Sequence, residues 1–185
     1  MASFIQIKKK RLNFHIMREL SNLEELMEEL PEKYVYKFIS NGYFSSIAFI
    51  KYIADRTYIK KLTVSTLRVG KKHLAVLDEL HAQKKINKIN FVIGSVMKND
   101  SLKGKEYGYF DVLTDMCDKN EWKITVLNNH SKILLFDTNA GYFVIETSSN
   151  LNENPNIEQF SFEKSKKLYE MYYGSFVEWG VIDGG

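Results

Sequence analysis

At 185 residues, 44% of them hydrophobic and 26% charged, the chain has the size of one globular domain and can bury about 70% of the surface its unfolded form exposes. Two Pro, ten Gly and no low-complexity stretch exclude a long linker, and a formal net charge of +3 is a mildly basic balance that by itself names no partner. One cysteine, Cys117, excludes an internal disulfide and points to a reducing compartment, the cytoplasm.

The elements are predicted in chain order as follows. Lys8-Lys9-Lys10-Arg11 precedes no long apolar run, so the start reads neither as a secretory signal nor as a membrane span. Ser21-Asn22-Leu23-Glu24 is a capping-box pattern, and Leu20, Leu23, Leu26, Met27 and Leu30 follow helical spacing until Pro31. Residues 43–53 read as a second helix, 61–67 as a strand, 71–83 as a helix, 89–94 as a strand and 107–119 as a helix. Then come 123–127, two strands over 130–137 and 141–147, and a final helix over 163–179. Strands alternating with helices predict an α/β sheet covered on both faces. One domain is expected over 1–185, with 1–32 as an N-terminal extension carrying a short helix and 33–185 as the core. No sequence repeats within the chain.

The chemistry concentrates in His130-Ser131-Lys132-Ile133-Leu134-Leu135-Phe136-Asp137 and in Thr147-Ser148-Ser149-Asn150. On a strand, residues two apart share a face, so His130 and Lys132 would project an imidazole and an ammonium into one space. Pairing the two runs as a hairpin through Asp137-Thr138-Asn139-Ala140-Gly141 would bring Ser148 and Asn150 alongside. Any one of these residues alone is more often structural than functional. As a set they combine a nucleophile, a fixed positive charge and neutral donors, which is what transfer at a phosphate requires.

This arrangement resembles the H-x-K-x4-D signature of the phospholipase D superfamily, followed by its G-S-x-N-like element. His130, Lys132 and Asp137 match the first in spacing; Ser148 and Asn150 match the second in type. Thr147 stands where the family usually has Gly, and the gap before the second element is a few residues longer, which is assigned to a longer hairpin turn around Asn139-Ala140-Gly141. Glu158 resembles the family's downstream acidic residue. The similarity runs over about residues 33–180, with its specific motifs in 130–160.

The resemblance implies a phospholipase D-like α/β/α sandwich, a mixed sheet with helices on both faces. It also implies a phosphodiesterase that needs no metal or cofactor. His130 would attack phosphorus to give a phosphohistidine, Lys132, Ser148 and Asn150 would hold the non-bridging oxygens, and Glu158 would orient the imidazole. Asp137 is read as structural, bonding turn amides near Thr138 and Asn139. The motif occurs once, so the second imidazole expected of this chemistry would come from a homodimer. His15, His73, His81 and Cys117 form no cluster with metal-ligand spacing. Short single-motif members of the family look mostly like nucleases, so nucleic acid is the expected substrate, DNA before RNA, with no membrane. A phospholipid or other small phosphodiester is the second reading. A catalytically silent DNA-binding or assembly module, motivated by Thr147 and the longer gap, is the third.

Overall fold

The structure is a computed structural model that describes residues 4–7, 12–17, 22–42, 44–105, 109–152 and 155–183. The elements run β1 (Phe4–Ile7), β2 (Leu12–Met17), α1 (Asn22–Leu26), β3 (Val35–Asn41), α2 (Ile47–Ala54), β4 (Ile59–Thr66), α3 (Lys71–Ala82) and β5 (Ile86–Gly94). They continue with α4 (Ser95–Leu102), α5 (Phe110–Asn120), β6 (Lys123–Leu127), β7 (Ile133–Thr138), β8 (Gly141–Thr147), β9 (Ile157–Lys164) and α6 (Lys166–Glu178).

The nine strands among the described residues form one mixed sheet in the order β1-β2-β3-β9-β8-β7-β4-β5-β6. β4, β5 and β6 are parallel, each joined to the next through helix, as parallel pairing demands. From β4 outward through β7, β8, β9 and β3 every pair is antiparallel, and β2 then lies parallel to β3. Strand alternation sorts the side chains into two cores. In β7, Leu134 and Phe136 enter the larger core beneath α1, α2, α3 and α5, whereas Leu135 enters the smaller one beneath α6 with Tyr169 and Phe176. Helices therefore cover both faces, and the architecture is the expected α/β/α sandwich.

Several boundaries differ from the sequence expectation. α2 begins at Ile47; Tyr43 lies outside the described residues, as do Ser21 of the capping box and Tyr107 at the predicted start of the fifth helix. α1 stops at Leu26, well before Pro31. The final helix begins at Lys166 instead of Glu163, because Ser165 caps it by accepting from the Leu168 amide, and residues 157–164 are strand β9. β3 and α4 were not predicted, and neither were β1 and β2, which extend the sheet within the first 32 residues. The β7–β8 hairpin does not have a long turn. Only Asn139 and Ala140 separate the strands; Thr138 Oγ1 donates to Gly141 O (2.7 Å) and accepts from Ala140 N (3.1 Å). Among the described residues no helix is long and apolar enough to cross a membrane.

Candidate active site

Five strand ends meet at one edge of the sheet: the carboxyl ends of β4, β5 and β8 and the amino ends of β7 and β9. In open α/β sheets, ligands gather at the carboxyl ends of the strands, where diverging connections leave a crevice. The segments 128–132 and 148–152 both lie there. The backbone joins them, with Thr147 N donating to Lys132 O (3.1 Å) and Ser148 N to Gln159 O (3.1 Å).

Within this region His130 is exposed and Lys132 half-buried. The Lys132 ammonium donates to the His130 carbonyl (2.8 Å) and lies 3.0 Å from Nδ1 of the same ring. An ammonium cannot accept, so Nδ1 takes that bond with its lone pair, and a neutral ring in this arrangement carries its proton on Nε2. Burial pulls the Lys132 ammonium below its ordinary value of 10.5, and the charge of Glu158 opposes that shift. Glu158 itself is buried at 6% exposure, on β9, and accepts a hydrogen bond from Ser148 Oγ. Ser148 Oγ also accepts from Gln159 N (3.0 Å), so its one proton is committed to Glu158. Asn150 turns Oδ1 toward the end of β4, 3.3 Å from both the Leu67 amide and Thr66 Oγ1, which leaves Nδ2–H₂ as its donor end.

Thr147, where the resembled family has Gly, sits at the end of β8, and it is not among the described residues with positive φ. Its Oγ1 accepts from Ser149 N (2.9 Å) and closes the turn into Asn150. No glycine-only conformation is needed at that position.

Two residues that the sequence reading passed over hold the site together. Asn129 donates through Nδ2 to Val92 O (2.8 Å), Ser65 Oγ (3.0 Å) and Thr66 O (3.3 Å), and accepts at Oδ1 from Ser131 N (2.9 Å) and Ser131 Oγ (2.7 Å). It ties the ends of β4 and β5 to the loop that carries His130. Thr66, 1% exposed, lies 3.0 Å from Arg68 O and accepts from Leu151 N (3.2 Å), fixing the Asn150 segment against β4. The signal in the sequence was the pair Asn128-Asn129 directly before His130, a residue type that bonds loop backbone through both ends of its amide.

Other residues lie elsewhere. Asp137 does not bond the turn amides; it sits in β7 with Lys60 Nζ at 3.9 Å, and Thr138 closes the turn in its place. His73 is buried and bonds Ser45 Oγ through Nε2 (2.7 Å), while His81 bonds Ile86 O and packs edge-on against Trp122. Burial pushes the Cys117 thiol up to about 12, so it is no nucleophile. Among the described residues no group of three or more His, Cys, Asp or Glu could hold a metal ion.

No protein-family model matches the chain, and no curated protein matches it in sequence. Solved structures do share its fold. A polyphosphate kinase from Porphyromonas gingivalis superposes with a TM-score of 0.62 at 15% identity, covering 85% of this chain and 28% of that one. A phosphatidylserine synthase from Haemophilus influenzae gives 0.53 at 15% identity, over 80% and 38%. TrmBL2, an archaeal chromatin protein, gives 0.52 at 15% identity, over 87% and 59%. The chain spans between 28% and 59% of the length of these three. The kinase and the synthase mark a phospholipase D-like fold.

Proposed function

We propose that the protein is a phosphodiesterase, acting as an endonuclease on DNA at a site shared by two subunits. The observation that carries this reading is the convergence of His130, Lys132, Ser148, Asn150 and Glu158 on one edge of a phospholipase D-like sheet. A diester phosphate entering there competes for the Lys132 ammonium. Once Lys132 turns to a non-bridging oxygen, Nδ1 of His130 is freed; the exposed ring loses its Nε2 proton to solvent and takes one up on Nδ1, so that the Nε2 lone pair becomes the nucleophile. Attack forms the N–P bond and breaks the P–O bond to the leaving group, whose oxygen takes a proton from His130 of the second subunit. That same imidazole then accepts a proton from the water that cleaves the N–P bond, restoring both rings. Lys132 and the Asn150 amide stabilise the charge that builds on the non-bridging oxygens. Ser148 joins them only by releasing Glu158; while bonded, the pair holds a buried carboxylate whose charge offsets that of Lys132. DNA binding is ascribed to TrmBL2, so this fold is compatible with such a substrate.

The test is turnover of a chromogenic phosphodiester, DNA and phospholipid in parallel. Cleavage of the chromogenic diester and of DNA is expected, unaffected by EDTA and abolished in His130→Ala and His130→Asn. Full activity in His130→Ala would overturn the mechanism, and cleavage of phospholipid in place of DNA would overturn the substrate.

A further inference from the structure

Beside the candidate active site lies a cleft of about 210 Å³ whose wall includes Arg68, Gly70, Lys71, Lys72, Tyr109 and Asn152. We propose that this cleft is a second subsite, which binds a phosphate and an adjoining base of the same nucleic-acid strand on one side of the scissile bond. The proposal rests on the nuclease reading above and deepens it.

Continuity with the active site is the first argument. The segment that carries Ser148 and Asn150 runs on to Asn152 in the cleft wall, and Asn150 and Asn152 are at most about 7 Å of extended chain apart. Leu151 between them bridges Val69, and its carbonyl accepts from Gly70 N (2.8 Å), so the two sites share one rigid partition. A linear polyanion lying across the first site therefore passes the second.

Charge is the second argument. Three cationic side chains and no carboxylate are among the described residues that line the cleft. Arg68 is fixed from behind by Asp100, which is 4% exposed and also pairs with Lys105 Nζ at 2.8 Å. With Arg68 held in place, Lys71 and Lys72, both exposed at the start of α3, line the same cleft. The positive end of the α3 peptide dipoles strengthens the same potential.

Shape is the third argument. The half-buried ring of Tyr109 stands in the wall among these cations, and an aromatic face beside a positive groove is how single strands are held without sequence preference, by stacking a base while cations track the backbone. A small diester occupying the first site would leave this space empty.

The experiment uses the full chain carrying His130→Ala, so that substrate is not consumed, and measures binding of a fluorescein-labelled single-stranded oligonucleotide by anisotropy across salt concentrations. Adding Lys71→Gln and Lys72→Gln should weaken binding by on the order of tenfold, and flatten the slope of log affinity against log salt by about 0.7 for each phosphate that is no longer neutralised. Adding Tyr109→Ala should weaken binding by about tenfold with the slope unchanged. Lys166→Gln, exposed on the opposite layer, should change neither. An unchanged slope and affinity in the lysine variant would overturn the subsite, as would lysine-dependent binding to anionic phospholipid vesicles with none to the oligonucleotide. The nuclease reading fails on a different result, the absence of DNA cleavage by the unmodified chain, whatever the binding data show.

Discussion

Lys132 carries the most informative titration in the molecule. In the proposed mechanism its ammonium holds phosphate, and burial lowers its pKa from the ordinary 10.5. As pH rises through the lowered value the charge is lost, so kcat/KM should fall on an alkaline limb centred below pH 10.5. Lys132→Arg, which cannot titrate in that range, should abolish that limb in whatever activity it retains. A pH–rate profile on the chromogenic diester checks both, and Lys132→Ala should lose at least about a hundredfold. Asn129 acts through its neighbours. Asn129→Ala strands Ser131 N and the carbonyl of Val92, and should cost about 1–3 kcal/mol in urea unfolding. Because it frees the loop that carries His130, it should lower kcat more than it raises KM. Steady-state kinetics with an unchanged kcat would remove Asn129 from the positioning of the site.

At the level of elements, the site depends on how closely β5 and the 128–132 loop approach. A Cβ on Gly94, at the end of β5, would stand 2.6 Å from Leu67 Cδ1 and 2.8 Å from the Asn129 carbonyl. Since a carbonyl of a hydrogen-bonded loop cannot retreat as a flexible side chain can, Gly94→Ala should cost about 1–3 kcal/mol by thermal unfolding and reduce turnover by displacing Asn129. The parallel unit β4-α3-β5 and the antiparallel β7–β8 hairpin were readable in the sequence, because they carry apolar runs or helical periodicity of ordinary length. The rest was obscured for identifiable reasons. β9 reads Ile-Glu-Gln-Phe-Ser-Phe-Glu-Lys, with buried Glu158 standing where the alternation of Phe160 and Phe162 expects an apolar residue, and its end runs into α6 with only Ser165 between. β3 interrupts its apolar positions with Lys37 and Ser40, and α4 buries only Met97 and Asp100, too few to mark a helical face. The motif residues were legible as a set. Their partners were not: Thr66 reaches the site through the sheet order, and Asn129, although next to His130 in sequence, takes its partners from the distant ends of β4 and β5.

For the whole molecule, the proposed mechanism ties activity to assembly through the single motif copy. If each site needs His130 from two chains, unmodified protein refolded with an excess of His130→Ala should form heterodimers lacking one imidazole, with activity far below the average of the parents. Analytical ultracentrifugation should find a two-fold dimer at micromolar concentration with residues 130–158 toward the partner. A monomer with full turnover would remove the shared site.

The sheet order also sets a timetable for folding. β3 pairs with β9, placing Lys37 beside Ser161, 124 positions away, whereas β4, α3 and β5 close a unit from neighbouring segments. Closing so long a loop is entropically costly and slow, while the local unit can form early. During synthesis, at about 5–20 residues per second, β3 must wait several seconds with its edge unpaired while the rest of the sheet emerges. Pulse-labelled hydrogen exchange during refolding should therefore protect β4 and β5 before β3 and β9. Glu158 lies on β9, so the candidate site would be among the last features to assemble, and a chain that stalls before β9 would expose a sheet edge to aggregation before that site existed.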